Sequence, residues 1–108
     1  MDNNQILRSL RYTFDLDDAE MMAIFASADY PATRPEVSDW LKKEDSPEFV
    51  AISDEHLAFF LNGFINTKRG KKEGAQPKPE TVLTNNLVLR KLKIALNFKD
   101  EDMLNALA

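Results

Sequence analysis

Apolar residues recur at helical spacing along most of the chain. Ile6, Leu7, Leu10, Thr13 and Phe14 share one face of a first predicted helix, with Arg8 and Arg11 on the other side and Asn3 or Asn4 as its N-cap. Asp15, Asp17, Asp18 and Glu20 then supply a cap and an acidic first turn, where the helix dipole favours negative charge. Met21, Met22, Ile24 and Phe25 give a second helix its apolar face, and Tyr30-Pro31 ends it, because the residue before proline is pushed out of the α region. Thr33 and Glu36 form a capping box with Pro35 inside the first turn, so a third helix runs from about Arg34 to Lys43 with Val37, Trp40 and Leu41 inward. Pro47 breaks the pattern, and Phe49, Val50 and Ile52 read as a short buried connection. Ser53 caps a fourth helix carrying Leu57, Phe60, Leu61, Phe64 and Ile65 on one face, Lys68 and Arg69 in its last turn and Gly70 at its stop.

One stretch supports a competing pattern. Asn62-Gly63 between apolar runs is also a two-residue hairpin signal, which would turn the flanking residues into paired strands. Caps at both ends and the lack of apolar/polar alternation favour the helix. Gly63 then costs about 1 kcal/mol relative to alanine, which a close helix crossing would offset.

The last 24 residues repeat the opening of the chain. At a constant offset of 82, with no gap, Asn3, Asn4, Leu7, Arg8, Leu10, Asp18, Met21 and Ala26 recur as Asn85, Asn86, Leu89, Arg90, Leu92, Asp100, Met103 and Ala108. Ile6/Val88, Arg11/Lys93 and Phe14/Leu96 keep their type. The pattern predicts one complete helical unit and the start of a second. A fifth helix from Asn85 or Asn86 through Leu96 and a sixth from about Lys99 would form a hairpin. Between the matched segments, residues 70–84 contain Gly70, Gly74, Pro77 and Pro79 among lysines and show no apolar periodicity, so they read as a linker.

Charge sharpens this division. The net charge of the 108 residues is -4. Residues 1–67 carry five basic and thirteen acidic side chains, whereas residues 68–108 carry nine basic and five acidic. The complementary signs favour docking of the tail on the body, in the same chain or in another. With 44% apolar and 30% charged residues and a mean hydropathy of -0.40, one modest core and a wet surface are expected, with no membrane span. The first ten residues lack the basic and apolar regions of a signal peptide, and there is no cysteine for disulfide, thiolate or metal chemistry, so a cytoplasmic location is expected.

No catalytic constellation is apparent, and neither an enzyme nor a cofactor or metal site is predicted. Asp15, Asp17, Asp18 and Glu20 fail the EF-hand pattern, because Ala19 and Glu20 stand where a ligand and a glycine belong; helix capping accounts for them. His56 has no histidine partner for a metal pair, and Gly70 to Gly74 lacks the Gly-Lys-Ser/Thr of a phosphate loop. Phe59 lies beside the apolar face of the fourth helix, as core edge or exposed contact. Lys68, Arg69, Lys71, Lys72, Arg90, Lys91 and Lys93 form a basic stripe able to contact a partner or line phosphates. Against nucleic acid stand the acidic body and the absence of aromatic residues among the lysines. A solvated linker with cations at a helix C-terminus is the simpler account.

Trp40-Leu-Lys-Lys-Glu-Asp45, Phe60-Leu-Asn-Gly-Phe-Ile65, Lys68-Arg-Gly70 and the paired Asn-Asn-x-x-Leu-Arg openings resemble the YehS-like family of bacterial domain-of-unknown-function proteins over nearly the whole length. The resemblance implies two copies of an all-helical unit in a soluble bacterial protein, and brings with it no reaction, cofactor or catalytic residue. A full second copy would place counterparts of Trp40 and Phe60 near positions 122 and 142, so either a truncated or a natural one-and-a-half-repeat form is expected. The fold expected is all-α, about six helices in one compact domain: a complete unit at 1–69, a basic Pro/Gly linker at 70–84, and a partial second repeat at 85–108 docked on the first unit or on a partner chain. The function expected is a non-enzymatic interaction or regulatory module, with a protein partner or a homodimer through 85–108; binding of nucleic acid is the alternative.

Overall fold

The structure is a computed structural model that describes residues 2–70 and 78–96. Its described residues form five helices and no strand: α1 (Asn3–Thr13), α2 (Asp18–Ser27), α3 (Arg34–Leu41), α4 (Asp54–Arg69) and α5 (Asn85–Ala95). The sixth predicted helix, from Lys99, lies outside the described residues, as do Lys71 and Lys72 of the basic stripe. None of the described helices is long and apolar enough to cross a membrane.

Helix α4 is the central element. Leu57, Ala58, Phe60, Leu61, Asn62, Gly63 and Phe64 are all buried, so the helix is enclosed on nearly every side, as its almost unbroken apolar stretch requires. It runs uninterrupted through Asn62-Gly63, and the hairpin alternative does not form. The crossing with α2 explains the glycine: a Cβ at position 63 would stand 1.8 Å from the Ile24 carbonyl oxygen and 2.7 Å from its carbon. Ser27 Oγ donates to the Gly63 carbonyl (3.1 Å), and the Asn66 side chain donates to the Ser27 carbonyl (3.0 Å), fixing the same crossing. Phe25 of α2 packs edge-on against Phe60 at 5.2 Å and against Trp40 of α3 at 5.5 Å, while Phe14 meets Phe64 at 5.2 Å.

Caps set the helix starts. Asp17 with Glu20 and Thr33 with Glu36 form reciprocal capping boxes, and Ser53 Oγ accepts from the His56 N–H. The cap of α1 differs from expectation. It is Asp2, in a capping box with Gln5, which frees Asn3 and Asn4 for longer-range work. The Asn4 amide is buried and donates to the carbonyls of Trp40 and Val50, both at 2.9 Å, while its oxygen accepts from the Ile52 N–H at 3.2 Å. Arg8 donates to the Lys42 carbonyl (2.9 Å), and Asn3 donates to the Ile52 carbonyl (3.2 Å) and to Asp54 Oδ1 (2.6 Å). One turn of α1 thus serves main-chain groups that the end of α3 and the following connection leave without helical partners. Within that connection Ile52 is buried as expected, but Val50 is exposed and Phe49 half-buried, because polar anchoring by Asn4 holds the segment where apolar burial was predicted to.

Asp54 ties in the segment before α5. Its Oδ2 accepts from the Leu83 N–H at 2.9 Å, and this bond foremost, with that from Asn3, holds its carboxyl below the ordinary value of 3.8.

Three measurements check this account. Gly63→Ala is expected to lower stability by about 2 kcal/mol or more in chemical denaturation, because main chain rather than a flexible side chain must yield and the helix-propensity gain of about 1 kcal/mol does not compensate. Asn4→Ala is expected to cost roughly 2–4 kcal/mol by leaving several main-chain groups unmet, whereas the same change at its sequence counterpart, exposed Asn86, stays within about 0.5 kcal/mol. A depressed carboxyl value stabilises above its unfolded value and loses that contribution as pH falls through the folded one. The Leu83 amide resonance is therefore expected to hold steady from neutral pH down to the ordinary Asp range and to shift only below it.

Candidate interaction face on helix α5

Helices α1 and α5 have the same length and begin 82 positions apart, yet they bury different sides. Thr84 caps α5, its hydroxyl accepting from the Leu87 N–H. Val88, Leu92, Ala95 and Leu96 are buried, and the helix packs along α4. These positions match Ile6, Leu10, Thr13 and Phe14 of α1. Lys91, where α1 has Ser9, fixes the docking: its Nζ donates to Asn62 Oδ1 at 2.6 Å and pairs with Glu80 Oε2 at 3.0 Å, leaving the side chain 12% exposed. Phe98, Met103, Leu104 and Leu107, expected on the apolar side of the tail hairpin, lie outside the described residues.

The remaining side of α5 is open. Leu7 is fully buried at 0% exposure, whereas its counterpart Leu89 is 42% exposed; Asn4 is buried, whereas Asn86 is exposed. Ile94 is 51% exposed. Asn86, Leu89, Arg90, Lys93 and Ile94 together line a shallow depression of ≈ 440 Å³. It offers a contact surface with two cations, one free carboxamide and two aliphatic side chains.

The structure thus separates the sequence-predicted basic residues. Arg90 and Lys93 lie together on this face. Lys91 turns into the α4–α5 contact, where Glu80 offsets its charge. Lys68, in the last turn of α4, stands 5.0 Å above the Phe14 ring and 5.7 Å above that of Phe64, a cation–π arrangement at the base of α1, and Arg69 beside it is exposed.

Two other clusters have structural explanations. The groove lined by Arg8, Arg11, Tyr12, Asp15, Leu16 and Asp17 among others is larger, at ≈ 640 Å³, and most of its charged side chains hold neighbouring elements together. Asp17 caps α2, Arg8 holds Lys42, and Arg11 pairs with Asp18 at 3.2 Å, with Arg34 at 3.5 Å from the same carboxylate. Asp15 occupies the left-handed turn after α1 at φ 51, which Asp tolerates better than most residues. Near α3, Tyr30, Trp40, His56 and Phe59 pack ring to ring at 5.1 to 6.4 Å, which places Phe59 at the half-buried edge of the core. The Tyr30 hydroxyl donates to Glu36 Oε2 at 2.7 Å; burial first, and that carboxylate second, push the phenol up to about 12. The Glu36 carboxyl is held low, chiefly by the Thr33 N–H. Among the described residues no group of three or more His, Asp or Glu could hold a metal ion.

Sequence reading missed the Asn4 anchor and the Lys91–Asn62 contact. A signal for the first was present: adjacent asparagines recur at both helix starts, although capping needs only one, and a neighbouring Asp2 or Thr84 already supplies it.

The family model of a protein of unknown function (DUF1456) matches residues 3–70, the stretch from the start of α1 to the end of α4. The chain is 42% identical over 103 residues to the uncharacterized protein YehS of Escherichia coli (strain K12), a match covering 94% of this chain and 66% of that relative, so the chain spans just under two thirds of the relative's length. No solved structure matches significantly. The family match over most of the chain and the level of identity to YehS place this protein in the DUF1456 family.

Proposed function

We propose that the protein is a non-enzymatic interaction module whose contact surface is the open face of α5. The observation that carries this reading is the pair of values for one matched leucine: 0% exposure for Leu7 in α1 and 42% for Leu89 in α5. A helix that repeats a core-forming sequence but leaves its leucine and neighbouring Ile94 in water has apolar surface to gain by association, worth on the order of 1 kcal/mol for partial burial of each side chain. Arg90 and Lys93 in the same depression favour a partner with acidic or carbonyl groups opposite them. A homodimer that set two α5 faces directly against each other would bring Arg90 and Lys93 onto their own copies, so a different polypeptide surface suits this face better.

Binding of nucleic acid is supported by the same two cations and weakened by the loss of Lys91 to the ion pair with Glu80. One experiment weighs both readings. With a photo-cross-linking amino acid at Ile94 of the full chain in bacterial cells, the expected outcome is one or a few discrete polypeptide adducts, reduced by Leu89→Asp. Adducts that vanish on nuclease treatment, or none at all, would reject the protein-interaction reading.

A further inference from the structure

In α1, Asn3, Asn4 and Arg8 act together on one target, and Leu7 among them is fully buried in the core. That target is the end of α3 and the connection that leads into α4, reached through the carbonyls of Trp40, Lys42, Val50 and Ile52 and the Ile52 N–H. All four residues recur unchanged in α5 as Asn85, Asn86, Leu89 and Arg90. None of the four is buried there, and three of them line the open depression with Lys93. Exposed surface positions carry little constraint from packing. A four-residue set that reproduces a main-chain clamp, on a helix already capped by Thr84, calls for a ligand of the same kind.

We infer that Asn86, Leu89 and Arg90 form a second clamp, and that its occupant is a polypeptide half-unit of the α3–connection–α4 type which lacks an α1 helix of its own. The inference rests on the α5 face being the contact surface and names what binds there. The recognition chemistry follows from α1. The Asn86 carboxamide takes two carbonyls and one N–H of an extended segment, Arg90 takes a carbonyl at a helix C-terminus, and Leu89 becomes buried as Leu7 is. An intact second copy of this chain does not fit, because its own α1 already holds that segment. The longer relative is about half as long again as the stretch it shares with this chain, which leaves room for such a half-unit; here α3, the connection and α4 occupy residues 34–69.

The test uses the full 108-residue chain and a fluorescent peptide of its own residues 33–70 as the probe. Saturable binding is expected, weakened roughly tenfold or more by Asn86→Ala and by Leu89→Ala, and unchanged by Val82→Ala, an exposed position off the face. Because an isolated peptide must order itself to bind, a second arm frees the half-unit within the chain. Asn4→Ala is expected to show concentration-dependent self-association by sedimentation, abolished when Asn86→Ala is added. Asn86-dependent association in either arm supports the clamp. Association that ignores Asn86, or none in both arms, overturns it. Polypeptide adducts at Ile94 alongside failure of both arms would keep the contact surface and remove this occupant.

Discussion

The fold depends on a backbone-to-backbone approach at one residue of α4. Gly63 lets the Ile24 carbonyl come within a distance that even a methyl group would forbid, and this draws α2 and α4 close enough for Phe25 and Phe60 to meet edge to face. The adjacent residue serves a different helix. A step of about 100° around α4 turns Asn62 toward α5, where its side-chain oxygen receives Lys91. A dipeptide whose composition suits a tight turn is here the junction of three helices. Its two residues serve two separate contacts: one needs the absence of a side chain and the other a polar one.

Much of this was legible from residue pattern, and the failures have a common cause. Local rules succeeded where the deciding partner lies within four residues: the boxes Asp17/Glu20 and Thr33/Glu36 and the Ser53 cap form as spacing predicts. They failed where the partner lies far along the chain. Asn4 reads as a cap because asparagine at a helix start usually is one, and the groups it satisfies, at Trp40, Val50 and Ile52, are distant main chain with no sequence signature. Lys91 reads as part of a solvated stripe because lysine usually lies in water, and Glu80 announces itself only once α5 is laid on α4. The candidate face had the same character. The sequence match between α1 and α5 was plain, but which side of α5 would be buried was not.

That choice of side follows from a few substitutions between the matched helices. Ser9 becomes Lys91, long enough to reach Asn62 and Glu80, and Thr13 becomes Ala95, small enough for α5 to lie flat along α4. The residues that α1 uses to hold the α3–α4 connection were retained meanwhile. Two helices identical at five of eleven matched positions therefore contribute different things: α1 closes the core with Leu7 and Leu10, and α5 covers α4 with Val88 and Leu92 while leaving Leu89 exposed.

The Asp54 carboxylate has a consequence for how the molecule opens. It joins the start of α1, the start of α4 and the approach to α5 through one pair of oxygens. The α2–α4 contact brings main chain against main chain and is bridged by Ser27 and Asn66, whereas the α4–α5 contact combines buried Val88, Leu92, Ala95 and Leu96 with the polar group of Lys91, Glu80 and Asn62. The layers thus differ in what separation costs. Loss of α5 would expose Val88, Leu92, Ala95 and Leu96 and hand its polar partners to solvent, while loss of α2 would strip the aromatic core around Phe25. Protection of the α5 amides against exchange would therefore report on how firmly this outer layer is held to α4.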